Sequence, residues 1–190
     1  MSETPDCQTR FVVRPQVPRS AAEKRLPIRL LTPPFLKTRI QKIELGYLPH
    51  YLFRVELSGK KGPERVEAAV DAVLGHFAIW QSEKAELVPA GDQTFDIPFR
   101  LGVEAAEARL REQYRWVLIA RGLRRKRTIA LSSILYLRRF YYPFWIGYYR
   151  ARGKWNFEAL DALAGMRQGG KVKDAFIAGW VNPRPTPETP

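Results

Sequence analysis

The chain has one cysteine and two histidines in 190 residues. A single thiol, Cys7, closes no internal disulfide, so the fold needs no oxidising compartment. His50 and His76 have no neighbouring cysteine pair or acidic cluster, and the expectation is no metal site. No run of about 18 apolar residues occurs without charge. The nearest, 128–149, is broken by Arg138 and Arg139. The first twenty residues hold no apolar stretch of signal-peptide length. The expectation is a soluble, cytoplasmic protein that is not transmembrane. A phosphate loop of the GxxxxGK[ST] type is absent, and Gly169-Gly170-Lys171 is too short to stand for one. Ser132-Ser133 has no recognisable base or glycine elbow. With no constellation for chemistry, no catalytic residue, cofactor or small-molecule substrate is assigned, and the chain is expected not to be an enzyme.

The absence of negative charge in one segment is as informative. Residues 113–157 contain no aspartate or glutamate. Between Glu112 and Glu158 stand eleven cations: Arg115, Arg121, Arg124, Arg125, Lys126, Arg127, Arg138, Arg139, Arg150, Arg152 and Lys154. The net charge of +13 points to an acidic macromolecular partner: a protein, a nucleic acid or an anionic membrane surface. The same segment holds Trp116, Tyr136, Phe140, Tyr141, Tyr142, Phe144, Trp145, Tyr148, Tyr149 and Trp155. Cations hold phosphates and flat rings stack unpaired bases, so the interleaving suits single-stranded nucleic acid. It equally suits a bilayer surface, where Trp and Tyr sit at headgroup level. Against both stands a plainer reading, in which rings alternating along a strand are core. Candidate anion contacts are Arg121, Arg124, Arg125, Lys126, Arg127, Arg138, Arg139, Arg150, Arg152 and Lys154.

What the chain does have is internal recurrence. QTRFVVRPQVPRSAAEKRL (8–26), KIELGYLPHYLFRVEL (42–57) and RVEAAVDAVLGHFAIW (65–80) are followed by QTFDIPFRLGVEAAEARL (93–110), LYLRRFYYPFWIGYYR (135–150) and NFEALDALAGMRQGG (156–170). Ala-Ala-Glu-x-Arg-Leu, Tyr-x-Pro-x-aromatic and Asp-Ala-x-x-Gly recur in that order, and such recurrence implies a repeated unit. The expected division is a disordered leader at 1–7, a first unit at 8–88, a linker at 89–92 inside the polar stretch 82–92, a second unit at 93–181 and a proline-rich tail at 182–190.

Within that division, Phe11–Val13 reads as a short strand, and Ser20-x-x-Glu23 as a capping box opening a helix near Ala21. From Lys42 to Leu57 apolar side chains alternate, predicting a long strand with one buried face and a bulge or edge at Pro49, repeated at Pro143. Segment 64–80 fits a helical face as well as a strand pair. The glycines of its second copy favour the pair, with Asp71 and Gly75, and likewise Asp161 and Gly165, closing turns. Val103, Ala106, Leu110, Tyr114, Val117 and Leu118 predict a helix ending near Arg121, with Gly122 as its cap. A strand over 128–150 is expected to pair forward with 155–163, and 171–180 to form a final helix.

A helix, a strand ending in aromatics and an Asp-Ala-x-x-Gly hairpin resemble the PepSY-like unit, in which a helix packs on a small antiparallel sheet. Tyr141-x-Pro143-x-Trp145 followed by Asp161-Ala162-x-x-Gly165 also looks like strands found beside zinc ribbons, but the cysteines of a ribbon are missing and no zinc carries over. The resemblance covers about two-thirds of the chain. It implies a non-enzymatic module of a kind that often serves as an extracytoplasmic inhibitor, a role that sits poorly with the expected cytoplasmic location. The fold expected is α+β, two tandem β-α-β-β units related by a pseudo-twofold, with helices on one face of an antiparallel sheet. The function expected is binding or scaffolding through a basic surface. The alternatives are an RNA- or single-stranded-DNA-binding protein and a small enzyme with an unrecognised site.

Overall fold

Two strands of unusual length organise the molecule. The computed structural model describes residues 10–27, 39–59, 62–80, 85–125 and 129–181. The elements run β1 (Phe11–Val13), α1 (Arg19–Arg25), β2 (Lys42–Gly59), β3 (Glu64–Asp71), β4 (Phe77–Ile79), β5 (Leu87–Pro89), α2 (Val103–Arg125), β6 (Ile129–Ala151), β7 (Lys154–Asp161) and α3 (Gly170–Val181). β2 and β6 pair antiparallel from Lys42 opposite Tyr148 to Gly59 opposite Ile129. β3 and β4 extend the sheet beyond β2, while β1, β5 and β7 lie beyond β6. All seven strands form one sheet.

This arrangement overturns the two tandem β-α-β-β units. The strands of the two halves interlace: β6 of the second half pairs with both β1 and β2 of the first. The β1–β6 pairing is parallel, so the sheet is mixed rather than antiparallel. β5 takes in Pro89, the first residue of the expected linker. The physical reason lies in the backbone of β2, one edge of which is satisfied along its whole length by β6. Neither half therefore completes its sheet alone.

Helices cover both faces, not one. On one face Tyr51, Phe53, Val55 and Leu57 of β2, with Ala68 and Val70 of β3, meet Ala106, Leu110, Tyr114 and Leu118 of α2. Ile43, of the same parity in β2, packs with Leu160 against Ala22 of α1 and Leu26 at its carboxyl-terminal cap. On the opposite face Leu48, Phe144, Ile146 and Ala159 receive Ala175 and Phe176 of α3. The single buried face expected of β2 is thus corrected as well: Leu48 and Leu52 put the second parity into core.

Helix ends differ from expectation. α1 starts at Arg19, capped by the extended Pro18 with no side-chain capping bond. The Pro18 carbonyl accepts the N–H groups of Ala21 and Ala22. Ser20 therefore lies inside the helix, and Glu23 pairs with Arg19 at 3.0 Å instead of closing a capping box. α2 passes through Gly122 to Arg125 and does not stop at the glycine.

Pro49 and Pro143 occupy the central strand pair, opposite Tyr141 and Tyr47. Neither marks an edge, and the register shifts fall at Leu52/Phe53 and Glu56/Leu57 instead. A proline removes a ladder donor. Here each lies where its hairpin neighbour ends. The carbonyl of Pro49 accepts the Ala72 N–H at 2.8 Å, and that of Pro143 the Ala162 N–H at 3.2 Å. The acceptors left without a proline donor are filled from elsewhere. Ala72 accepts the N–H groups of Arg100 and Leu101, and Ala162 those of Gln16 and Val17.

Candidate functional site

The two Asp-Ala-x-x-Gly segments are turns built alike. Asp71 Oδ1 accepts the N–H groups of Val73 and Leu74 at 3.0 and 2.7 Å, and Oδ2 accepts that of His76 at 2.7 Å. Asp161 Oδ1 accepts those of Leu163 and Ala164 at 2.7 and 2.9 Å. Gly75 and Gly165 close the turns at φ 80° and 67°. Backbone bonding of this kind occupies both carboxylates and leaves little acceptor capacity for acid–base work.

Between the turns lies a polar seam. His50 sits opposite Phe140 on β6 and Asp71 on β3. Its ring stacks on Phe140 with centroids 5.5 Å apart, and Tyr142 lies 5.8 Å away. Trp80 meets Phe140 and Tyr142 edge-on. The Nδ1–H of His50 donates to the Leu48 carbonyl at 2.9 Å, which leaves Nε2 as the unprotonated nitrogen. Burial holds the His50 pKa below its ordinary value, although Asp71 and the Leu48 carbonyl pull the other way. Burial raises the Tyr142 pKa, and the Asp161 carboxylate beside its hydroxyl raises it further. His76 Nδ1 lies 3.2 Å from Asp71 Oδ2. The seam thus offers a neutral imidazole between two carboxylates held by turns and a tyrosine held by one of them. The sequence places His50 on a polar face. The structure half-buries it among aromatic rings.

The predicted cations do not converge. Arg121, Arg124 and Arg125 belong to the end of α2, and their side chains, like all of Lys126 and Arg127, lie outside the described residues. Arg138 and Arg139 point to opposite faces of mid-β6, as neighbours in a strand must. Arg138 lies over the Phe11 ring at 5.0 Å. Arg150 lies over Trp155 at 4.9 Å, near the far end of β6. Arg152 is in the β6–β7 turn with φ 51°, and Lys154 opens β7. Twelve residues of strand separate Arg138 from Arg150, about 40 Å at the usual rise. The rings expected to form a platform are mostly core: Phe140, Tyr141, Phe144 and Tyr149 are buried.

One place does combine exposed apolar surface with cations. The stripe Ala106, Leu110, Tyr114, Leu118 turns α2 towards the sheet. Trp116 and Ile119 fall off that stripe and are 70% and 50% exposed. Arg115 is exposed beside them, and among the described residues it pairs with no carboxylate. Spacings of three and four residues make 115, 116 and 119 surface neighbours on a helix. Every acidic residue of α2 (Glu104, Glu107 and Glu112) precedes them. Glu107 is already engaged by Arg111 at 2.8 Å. The sequence pattern counts Trp116 among the rings but passes over Ile119, although the departure of both from the core stripe is the available signal.

Comparison with family models, curated proteins and solved structures finds no match. Among the described residues no helix is long and apolar enough to cross a membrane, and no group of three or more His, Cys, Asp or Glu side chains is placed to hold a metal ion.

Proposed function

We propose that the protein is a non-enzymatic binding protein whose basic surface, centred on the carboxyl-terminal half of α2, docks an acidic macromolecule. The observation that carries this reading is the pairing of Arg115 with exposed Trp116 and Ile119 on a helix whose last turns add Arg121, Arg124 and Arg125. A net positive charge of +13 attracts a polyanion, and adjacent exposed apolar side chains supply area for an interface to bury. Burial of Phe140, Tyr141, Phe144 and Tyr149 weighs against base stacking. An RNA or single-stranded-DNA reading is left with phosphate contacts. The engagement of Asp71 and Asp161 by their turns weighs against an enzyme.

The test is a salt titration against three polyanions: RNA homopolymer, vesicles containing phosphatidylserine, and polyglutamate. At least one should bind at low salt and release as salt rises. Replacing Arg115, Arg121, Arg124 and Arg125 together by Gln should weaken that binding. If RNA is the ligand, the log–log slope should fall by roughly 0.7 for each phosphate the variant no longer neutralises. Failure of all three to bind at low salt would overturn the reading.

A further inference from the structure

Beyond that reading, and on a second surface, we propose that the tip of the β6–β7 hairpin binds single-stranded nucleic acid. An unpaired base stacks on Trp155, and Arg150, Arg152 and Lys154 hold the flanking phosphates. All four side chains are exposed.

Three observations carry it. The first is shape. β2 accompanies β6 as far as Tyr148, and β1 meets β6 only at Phe140 and Tyr141. β7 pairs with β6 out to Lys154 opposite Ala151. Among the described residues, 150–156 therefore form a two-stranded ribbon with no third strand beside it. The second is charge. Arg150 and Trp155 stand opposite each other and share one face of the ribbon, Lys154 lies on the other face, and Arg152 is at the apex. Among the described residues none of the three cations pairs with a carboxylate. The carboxylates at the ribbon's root are engaged. Glu158 is held by Lys173 at 2.7 Å and by the Tyr149 hydroxyl at 3.3 Å, and Glu44 accepts the Tyr148 hydroxyl at 2.7 Å beside Lys42. Asp96 acts on Tyr148, short of the tip. The third is the turn. Arg152 and Gly153 have φ 51° and 75°, the left-handed pair that a two-residue hairpin requires and Asn-Gly fills best. Arg152 is the only non-glycine residue with positive φ among the described residues. A long cation kept in a strained position points to a use outside the fold.

The same side chains discriminate between polyanions. A hairpin entering a bilayer needs apolar side chains at its apex, and Arg152-Gly153 would carry a charge into it. Protein carboxylates would pair with the cations but offer the indole no flat partner. Nucleic acid supplies both phosphates and bases. Arg150 already lies over the indole at 4.9 Å, a cation–π contact that leaves Trp155 56% exposed. Burial withholds Phe140, Tyr141, Phe144 and Tyr149 from a base, and Trp155 escapes it.

The full chain is titrated with end-labelled RNA and DNA single strands of about twelve nucleotides, and with the matching duplexes. Fluorescence anisotropy should rise with the single strands at low salt, and unlabelled strands should quench tryptophan fluorescence. Trp155→Ala should lose at least tenfold in affinity with its circular dichroism unchanged. Trp155→Phe, which keeps a ring, should retain most of the affinity and lose most of the quenching. Trp116→Ala alters another exposed tryptophan and should bind as wild type. R150Q/R152N/K154Q should lower the log–log salt slope by about two, roughly 0.7 for each phosphate contact removed. Arg152→Asn alone suits the turn better, so it should melt no lower than wild type while binding more weakly. Replacing Arg115, Arg121, Arg124 and Arg125 by Gln should leave the dependence on Trp155 in place. Binding that Trp155→Ala leaves intact, or duplexes bound as tightly as single strands, would overturn the inference. Wild-type indifference to both single strands, with binding to phosphatidylserine vesicles or polyglutamate, would overturn it and leave the broader reading standing. Indifference to all of these polyanions would end both.

Discussion

Tyr142 donates its hydroxyl to the Asp161 carboxylate, 3.1 and 3.0 Å from the two oxygens. The bond ties the central strand β6 to the turn that ends β7, on a carboxylate already holding the N–H groups of Leu163 and Ala164. A hydrogen bond to a charged group contributes about 1.5–3 kcal/mol. Tyr142 is only half-buried, which puts the effect near the lower bound. Tyr142→Phe should destabilise by about 1–2 kcal/mol in urea unfolding. A change under about 0.5 kcal/mol would show that water replaces the phenol.

The two turn glycines should not respond equally. Both have positive φ, which costs an L-residue about 1–2 kcal/mol. A Cβ on Gly75 would also lie 3.0 Å from Arg109 Cγ and 3.1 Å from Leu101 Cδ1. On Gly165 it would meet the Arg25 guanidinium, the far end of a flexible side chain, which can swing away. Gly75→Ala should therefore cost more than Gly165→Ala. Gly→Val, with two further methyls, should be worse at each site. Thermal unfolding of the four variants gives the order directly, and equal losses at the two sites would contradict it.

Those turns were legible because their chemistry is local: an aspartate bonding its own backbone and a glycine taking positive φ a few residues on. So were the period-two run of β2 and the 3.6-period stripe of α2, each of which is the face of one element. Sheet order was not. Nothing in Phe11–Val13 says that it will lie parallel to Phe140 and Tyr141 on one side while pairing with Leu87–Pro89 on the other. That choice depends on which edge β2 leaves open on β6, a pairing between residues far apart in sequence. The side taken by α3 was hidden for the same reason, since alternation alone predicts one buried face while Leu48 and Leu52, of the other parity, are core beneath other elements. At the candidate site, charge was legible as composition, but its scatter along β6 and the place of Arg115 beside exposed Trp116 and Ile119 on α2 required the fold.

His50 should make stability depend on pH below neutrality. Burial lowers its folded-state pKa from the ordinary value of 6.5. As pH falls through that value the unfolded chain takes up a proton that the folded chain refuses. Stability is then lost until the folded pKa is reached. The loss from this one group cannot exceed about 1.4 kcal/mol per pH unit. Asp71 is the acid opposing the shift, while Phe140 and Tyr142 are the rings against the imidazole. Unfolding followed from pH 7.5 downwards should show a slope that His50→Gln reduces. An identical pH profile in the variant would mean that the imidazole titrates freely in the fold.

Trp145 and Trp155 look interchangeable in sequence, and the structure makes opposite predictions for them. The Nε1–H of Trp145 donates to the Val17 carbonyl at 2.8 Å, just ahead of α1, and its ring packs with Ala22, Leu26, Ile43 and Leu160. Trp155 is 56% exposed, with Arg150 over its ring. Truncating a core tryptophan costs about 3–5 kcal/mol, whereas an exposed cation–π contact contributes about 0.5–1 kcal/mol. Trp145 is half-buried, so Trp145→Ala should cost about 3 kcal/mol. Trp145→Phe, which keeps a ring and loses the hydrogen bond, should cost about 1 kcal/mol, and Trp155→Ala less than about 1 kcal/mol. The loss at 145 should also be felt locally, because α1 is a seven-residue helix held by its packing on the sheet. Amide exchange over 19–26 should accelerate in Trp145→Ala and stay at the wild-type rate in Trp155→Ala. If the two alanine variants were equally stable, Trp145 would be a surface ring after all, and the assignment of the 136–149 aromatics to core would have to be reopened.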